Sequence, residues 1–322
     1  MRKLKELNLK NQNEINIENK TVGANHPCYI IAEIGVNHNG DLSLAKKLID
    51  VSVDIGADAV KFQKRNLQSL YRKEALENPN IESQGFEILL AELKEIELNK
   101  EDYFDIVNYC KEKKITFLCT QWDTPSVDFL EKLETPAYKV ASGDMTNFPL
   151  LKYISKTGKP MIVSTGMSKI EEVEKMISFM KTLNTQFVLL HANSTYPSPI
   201  ESLNVSLIPE YIKKFGVHVG FSDHETGIIG SLTAANMGAV IIERHITLDK
   251  KMTRAEVLQR EVVSKSIICM SDINEGDIFS DNNMEVKGPE KGLSAQYFFD
   301  MIGKKSSRKI KKGEYLLEDD MN

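Results

Sequence analysis

The chain has 322 residues, a formal net charge of −5 and a hydrophobic content of 41%. This balance offers no basic surface for nucleic acid or an anionic membrane, and no apolar run approaches the ~18 residues that a membrane span needs. Four cysteines without metal-ligand spacing, and an N-terminus without an apolar signal core, predict a reduced protein of the cytoplasm.

Residues 1–28 are predicted to form an arm or hairpin, because apolar residues recur there at near-alternate positions. From 29 to 252 the pattern becomes a repeat of strand and helix. Strands are predicted at 29–35, 59–63, 116–120, 137–142, 161–166, 187–192, 217–222 and 240–248. Helices are predicted at 41–55, 86–97, 101–113, from 126 onward, 170–183, 203–214 and 226–237.

This alternation predicts an α/β fold of the (β/α)8 TIM-barrel type. A doubly wound open sheet is the alternative, and the lack of a Gly-rich dinucleotide fingerprint after the first strand disfavours it. Residues 253–265 are predicted to be a linker with a short, charged helix. Residues 266–322 show short strands and turn signals such as Asn274-Glu275-Gly276-Asp277, which indicate a small second domain with its own core.

The stretch from Val240 to Leu248 begins as an apolar, β-branched run, which suits a strand buried on both faces. Glu243 and His245 then follow two residues apart, so strand periodicity places both on one face. A buried carboxylate and a buried imidazole are costly unless they are paired or bind something. The C-terminal ends of barrel strands are where TIM-barrel chemistry sits. A structural ion pair is the alternative interpretation.

Polar residues end almost every predicted strand, where a plain core would not tolerate them. They are Glu33, Lys61, Gln63, Thr120, Lys139, Ser142, Ser164, Ser194, Tyr196, Ser222, His224, Glu243 and His245. Two lysines and several hydroxyls facing one cavity predict an anionic, phosphate-bearing ligand. Trp122 and Asp123, after the third strand, could line this cavity or fill their loop, and loop filling is the favoured interpretation.

His224 and His245 end strands seven and eight, which are neighbours in a barrel. Two imidazoles there can share one divalent ion and leave positions open for water or substrate. A lone histidine is more often hydrogen-bonded within the fold, but the pair favours a metal site. The motif Asn37-His38-Asn39-Gly40-Asp41 is predicted to be a βα turn with Asp41 as helix cap.

Six stretches span the predicted barrel in order and are highly specific together. They are Ile31-Ala32-Glu33-Ile34-Gly35-Val36-Asn37-His38-Asn39-Gly40, Val60-Lys61-Phe62-Gln63-Lys64, Tyr138-Lys139-Val140-Ala141-Ser142-Gly143-Asp144, Ser164-Thr165-Gly166-Met167, Ser222-Asp223-His224-Glu225-Thr226-Gly227 and Glu243-Arg244-His245-Ile246-Thr247-Leu248-Asp249-Lys250. These motifs resemble the N-acetylneuraminate (sialic acid) synthase family. The tail from Ser266 resembles the antifreeze-like SAF domain that ends these enzymes.

The resemblance implies condensation of phosphoenolpyruvate with N-acetylmannosamine, or its 6-phosphate, to N-acetylneuraminate and phosphate. His224 and His245 would hold a divalent ion, Mn²⁺ first and Mg²⁺ or Co²⁺ as alternatives. The implied catalytic residues are Glu33 for proton transfer, Lys61, Glu243 and Tyr196. The substrates would contact Lys61, Gln63, Thr120, Lys139, Ser142, Ser164, Ser194, Tyr196 and Ser222. The resemblance also implies a homodimer in which the SAF domain of one chain covers the barrel of its partner.

Two other functions stay open beside the sialic acid synthase. One is a related nonulosonate synthase of the legionaminate or pseudaminate type, which would condense a different amino sugar. The other is a catalytically impaired homologue that binds phosphoenolpyruvate or metal without turnover.

The chain departs from the family pattern at three places. Ser194 stands where many members carry Asn, and Gly288 stands where many bacterial members carry Arg. After Asp249-Lys250 the family's loop, eighth helix and linker do not follow, and an Asp that faces the sugar is absent with them. We therefore expect a shortened or missing eighth helix, an opened sugar side of the site and slow condensation.

Overall fold

The computed structural model describes residues 14–81, 86–249 and 264–321. Eight parallel strands close into a barrel, as predicted, with the last strand paired to the first. In chain order they are β3 (Tyr29–Gly35), β4 (Ala59–Lys64), β5 (Thr116–Gln121), β6 (Tyr138–Val140), β7 (Met161–Ser164), β8 (Phe187–Ala192), β9 (His218–Asp223) and β10 (Ile241–His245). Closure excludes the open sheet that the sequence left as an alternative.

Helices cover the outside of this barrel. In chain order the helices are α1 (Leu42–Asp54), α2 (Leu67–Leu70), α3 (Lys73–Glu77), α4 (Phe86–Ile96), α5 (Lys100–Lys113), α6 (Thr124–Lys132), α7 (Phe148–Ser155), α8 (Ile170–Thr182), α9 (Leu207–Phe215) and α10 (Ile229–Asn236). The short α2 and α3 lie between β4 and α4 in a separate apolar cluster with Val36 and Trp122. The sequence does not predict α7, because eight residues are too few to show a helical period clearly. Asn147 caps it by accepting from Leu150 N, and Pro149 suits its first turn.

The predicted N-terminal hairpin consists of β1 (Ile15–Ile17) and β2 (Lys20–Val22), which pair antiparallel. Its apolar residues Ile15, Ile17 and Val22 pack with the interior residues at the lower end of the barrel. The hairpin therefore plugs the end opposite to the strand C-termini, which explains its alternating apolar pattern. The predicted residues 1–13 of this arm lie outside the described residues.

The small domain contains the antiparallel pair β11 (Ser266–Cys269) and β12 (Met284–Lys287), the short helix α11 (Phe298–Met301), and several turns. Its own core is built from Ile267, Phe279, Leu293, Ile310 and Leu316, among others. The module is therefore a separate hydrophobic unit, as its turn-rich sequence predicts.

The small domain packs against the barrel of its own chain. Gly288 N donates to Leu70 O at 2.9 Å, and the guanidinium of Arg72 stacks on the ring of Tyr315. A second contact lies at α8, where Lys175 Nζ bonds Asp300 Oδ2 at 2.8 Å. The family-implied dimer with exchanged small domains concerns a second chain and stays a prediction.

The predicted helix at 253–263 and the expected gap in the helical ring fall on residues 250–263, outside the described residues. Of the predicted linker only Ser264 and Lys265 are described, and both are buried. Within the described ranges, no helix is both long and apolar enough to cross a membrane.

Candidate active site

The strands build the site by simple alternation of their inward-facing side chains. Along β10, Ile241 lies in the lower apolar layer of the barrel, and Glu243 and His245 face the cavity above it. Other strands repeat the pattern, for example Ala59 below Lys61 on β4. Each strand therefore changes from apolar to polar at the same height, because side chains two residues apart share a face.

All of the site residues predicted from the sequence line one cavity at the C-terminal end of the barrel. They are Glu33, Lys61, Gln63, Thr120, Lys139, Ser142, Ser164, Ser194, Tyr196, Ser222, His224, Glu243 and His245. The free volume between them is about 60 Å³, so a substrate must displace some of the contacts that the side chains now make with one another.

Two lysines and two glutamates form the charged centre of this cavity. Lys61 Nζ lies 2.6 Å from Glu33 Oε2 and 3.7 Å from Glu243 Oε2. Lys139 Nζ lies 3.8 Å from Glu243 Oε1 and 2.7 Å from Ser164 Oγ. All four charged side chains are at most 7% exposed. Such a buried network is costly as pure structure, because desolvation offsets most of the Coulombic gain.

Burial and pairing separate the pKa values of these four groups. Burial raises the pKa of Glu33 above its usual value. Burial also acts to raise the pKa of Glu243, but Lys139, Lys61 and a hydrogen bond from Ser222 outweigh it and lower that pKa to about 2. Burial lowers the pKa of Lys139 to about 8. For Lys61, burial acts downward, but Glu243 and Glu33 raise its pKa above the usual value.

Hydroxyl groups surround the lysines. Lys61 Nζ donates to Thr120 Oγ1 at 3.0 Å, and Ser222 Oγ donates to Glu243 Oε1 at 3.0 Å. A side-chain carbon at Gly166 would collide with the hydroxyls of both Ser142 and Ser194. Only glycine therefore lets these two serines converge on the cavity. The cationic, hydroxyl-rich wall matches the predicted phosphate site in its chemistry.

His224 and His245 lie side by side at the rim, with ring centroids 5.6 Å apart. Nδ1 of His224 bonds the carbonyl of Asn193 at 2.5 Å. Because a carbonyl only accepts, Nδ1 carries the proton and Nε2 presents its lone pair. Tyr196 OH donates to that Nε2 at 2.9 Å. A backbone carbonyl that fixes the ring in this tautomer is the usual support of a metal-binding histidine.

The histidine pair therefore fits a divalent ion as two of its ligands. Among the residues that the structure describes, no group of three or more His, Cys, Asp or Glu side chains is arranged to hold a metal. Water or substrate oxygens would have to supply the other positions, which is typical of catalytic rather than structural sites.

Asp223 and Arg244 hold the loop that carries His224. Arg244 Nη1 donates to Asp223 Oδ2 at 2.9 Å, and its Nη2 donates to Glu225 O at 2.7 Å. Ser231 Oγ donates to the same Asp223 oxygen at 2.5 Å. Both residues sit one position from a cavity residue, so strand alternation could have placed them behind it.

Trp122 lines the cavity, so the prediction that it only fills its loop is wrong. It lies two residues after Thr120, and the same alternation turns both inward. Its ring lies 4.7 Å from the Arg65 guanidinium, and its buried N–H has no hydrogen-bond partner among the described residues. Asp123 does hold its loop in place, because its carboxylate accepts hydrogen bonds from Asn66 N and from Ser126 N in the first turn of α6.

The Asn37–Asp41 motif is the predicted turn. Asp41 caps α1 by accepting from Ser43 N at 2.7 Å and Leu44 N at 3.1 Å. Burial lowers the pKa of His38 to about 4, so this imidazole is neutral.

Gly288 is one of the positions at which the sequence departs from the family pattern. A side-chain carbon at Gly288 would lie 3.1 Å from the Tyr71 ring. The ring therefore occupies the space that a longer residue at 288 would need.

Comparisons with known proteins identify the family of this arrangement. A model described as the NeuB family matches residues 48–259, and a model of the SAF domain matches residues 265–321. The chain belongs to the NeuB family. The SAF match confirms the identity that the tail's resemblance implies.

Characterised and solved NeuB relatives cover most of the chain. Human N-acetylneuraminate-9-phosphate synthase is 34% identical and covers 92% of this chain and 94% of its own length. The N,N'-diacetyllegionaminic acid synthase of Campylobacter jejuni is 34% identical, and the alignment covers 90% of this chain and 98% of the relative. The spore coat polysaccharide biosynthesis protein spsE from Bacillus subtilis is 28% identical in sequence. Its crystal structure matches with a TM-score of 0.79 over 96% of this chain and 99% of the spsE chain.

The human alignment bears on the expected missing segment. It runs over 336 positions, although this NeuB-family chain has only 322 residues, of which 92% are covered. It therefore includes positions of the human protein without a counterpart here, and the expected shortening after Lys250 stays a prediction.

Proposed function

We propose that this chain condenses phosphoenolpyruvate with an N-acetylated hexosamine to give a nonulosonate, of which N-acetylneuraminate is the first candidate, and phosphate. The observation that carries the proposal is the buried pair of lysines among hydroxyls, directly beside two histidines at the rim. A trianionic substrate suits the first half of this cavity, and an aldehyde sugar suits the second.

Phosphoenolpyruvate would take the place of the glutamates as partner of the lysines. Lys61 and Lys139 provide point charges for its phosphate and carboxylate, and the hydroxyls of Thr120, Ser142 and Ser164 donate directionally. The charged side chains of the site are buried, so these contacts are stronger there than at a surface. The lysines therefore orient the enol carbon toward the histidine side.

His224 and His245 would hold the divalent ion, for which Mn²⁺ is the first candidate. When bound, such an ion supplies Lewis-acid polarisation of the sugar aldehyde. Tyr196, hydrogen-bonded to His224, lies where the sugar or the enol would lie. Its position gives it a role in orienting the reacting aldehyde.

The reaction forms one carbon–carbon bond and breaks one carbon–oxygen bond. The methylene carbon of phosphoenolpyruvate bonds to the aldehyde carbon, whose oxygen takes up a proton. Water adds to C2 of the former enolpyruvate, and the C2–O bond to phosphate breaks. Glu33 lies between Lys61 and Gln63, bonded to the latter at 2.9 Å, and its position suits proton transfer to and from this water.

A catalytically impaired binder is the second candidate, and one observation favours it. The human alignment contains positions without a counterpart in this chain. If these include the loop on the sugar side, phosphoenolpyruvate and metal would still bind while condensation is slow, because a site open to water loses electrostatic strength.

Phosphate release on a panel of sugars tests these functions. N-acetylmannosamine, its 6-phosphate and a diacetamido hexose of the legionaminate type are each mixed with phosphoenolpyruvate, with Mn²⁺ or with chelator. Release that requires sugar and Mn²⁺ supports a synthase, and the preferred sugar names it. Binding of phosphoenolpyruvate without phosphate release on any sugar supports the impaired binder. A protein that shows no phosphoenolpyruvate binding and no phosphate release would contradict both functions.

The affinity for phosphoenolpyruvate is expected to weaken as the pH rises through about 8, the pKa of Lys139. Below this pH Lys139 is a cation that attracts the substrate, and above it a neutral amine. Lys61 keeps its charge throughout, since its pKa is raised. Direct titration of phosphoenolpyruvate binding in chelator-treated buffer measures the effect.

The matched control is Lys139→Arg, whose guanidinium stays charged at every pH used. Its affinity should be flat over the range in which the wild type weakens. An equal pH dependence in both proteins would assign the titration to another group.

A further inference from the structure

Lys265 is a buried side chain of the small domain that reaches the barrel beside the candidate active site. Its ammonium pairs with the carboxylate of Asp144, and the two side chains are 3% and 0% exposed. Lys265 directly precedes β11, the first strand of the small domain. The contact therefore joins the start of one domain to the interior of the other.

Asp144 belongs to the turn that brings Ser142 and Gly143 to the cavity wall. Its Oδ1, which bonds Lys265, also accepts from Asn147 Nδ2 at 2.9 Å. Asn147 in turn caps α7. One carboxylate oxygen thus links the small domain, the turn with Ser142 and the start of a barrel helix.

Trp122 provides a second path from Lys265 to the cavity. Its indole lines the candidate active site on one side and, on the other, a cleft of about 240 Å³ between barrel and small domain, which Lys265 also lines. Lys265 Nζ lies 5.5 Å from the centroid of this ring, within the range of a cation–π contact. The same ammonium therefore touches both the turn and the aromatic wall.

We propose that Lys265 is a positioning residue through which the docked small domain holds the Ser142–Asp144 turn and the Trp122 ring in place. Without Lys265, Asp144 would keep a buried charge with no cation beside it, and the turn would rearrange to reach solvent or another donor. The small domain is then part of the candidate active site of the barrel on which it docks. That this wall binds phosphoenolpyruvate rests on the proposed function; the positioning itself does not.

Lys175 offers a matched control on the same domain interface. It bonds Asp300 and lies 3.7 Å from the centroid of the Tyr297 ring, but it lines neither the cavity nor the cleft. Lys175→Met therefore weakens docking of the small domain without touching the turn or Trp122.

Trp122 is the one tryptophan of the chain, so its fluorescence reports on this wall alone. The experiment compares wild type, Lys265→Met, Lys265→Arg and Lys175→Met in the full-length chain. Acrylamide quenching of the unliganded proteins measures access to the indole, and titration with phosphoenolpyruvate measures affinity. A further variant, Lys265→Met with Asp144→Asn, removes both charges and keeps the test open if the single variant fails to fold.

Lys265→Met is expected to increase quenching and to weaken phosphoenolpyruvate binding by at least about tenfold, since a displaced turn loses a hydrogen bond to the charged ligand. Lys265→Arg should restore most of both losses, and Lys175→Met should match the wild type. Quenching that is unchanged in Lys265→Met, or equally raised in Lys175→Met, would overturn the positioning role. If wild type itself does not bind phosphoenolpyruvate, the proposed function fails, and quenching alone decides the role of Lys265.

Discussion

Replacing either rim histidine, by His224→Ala or His245→Ala, is expected to lower divalent-ion-dependent turnover by at least about a hundredfold. Each variant removes one of the two imidazoles that would hold the ion. Lewis-acid stabilisation of the transition state is worth several kcal/mol. Each ~1.36 kcal/mol added to the activation free energy slows the reaction by a factor of ten. The measurement is phosphate release with saturating substrates as the Mn²⁺ concentration is varied.

The fold should survive both substitutions, because the two rings lie at the rim rather than in the core. His26→Ala is the matched control, since His26 pairs with Glu14 near the N-terminal hairpin, far from the strand C-termini. It should leave turnover and its metal dependence unchanged. Near-full activity of either rim variant in chelator-treated buffer would remove the histidine pair from the proposed chemistry.

The second large effect is expected from the buried lysines. Lys61→Ala and Lys139→Ala should each raise the KM for phosphoenolpyruvate by more than about tenfold, because a lost charge-assisted hydrogen bond costs ~1.5–3 kcal/mol. Each variant also leaves buried carboxylate charge with less compensation, so the melting temperature should fall as well. Steady-state kinetics at a temperature where the variant is folded separates the two effects.

Lys64→Ala is the control for this pair, because Lys64 lies on the same strand as Lys61 but pairs with Glu97 outside the barrel. It should lose some stability and keep its KM for phosphoenolpyruvate. An unchanged KM in both Lys61→Ala and Lys139→Ala would move the phosphate pocket elsewhere.

The sequence was sufficient to predict the barrel and the side chains around its cavity, because both follow from periods of two along buried strands. Once β10 is placed, the inward orientation of Glu243 and His245 is fixed by alternation. The same rule, applied from Thr120 to Trp122, places the indole in the cavity, where the favoured interpretation had been that it fills its loop. The sequence places Glu33 and Lys61 close enough to pair, but it does not give the order of their pKa values. That order depends on burial and on the interactions among all four charged side chains of the site.

Other features depend on contacts between residues far apart in the chain, which no local pattern encodes. The Asn193 carbonyl that orients His224 belongs to the backbone. Any residue at this position would offer it, so the amino-acid type does not reveal the contact. Docking of the small domain uses isolated charged and aromatic contacts, such as Lys265 with Asp144, rather than an apolar stripe. Helix α7 was missed because its eight residues are too few to show a clear helical period.

The most direct test of the proposed chemistry is a product balance with wild-type protein, Mn²⁺, phosphoenolpyruvate and the preferred sugar of the panel. Phosphate is measured by a coupled assay, and the nonulosonate by mass spectrometry. The account predicts one phosphate released for each nonulosonate formed, and neither product when sugar or phosphoenolpyruvate is left out. Phosphate released at the same rate without any sugar, or a sugar consumed without phosphate, would contradict it.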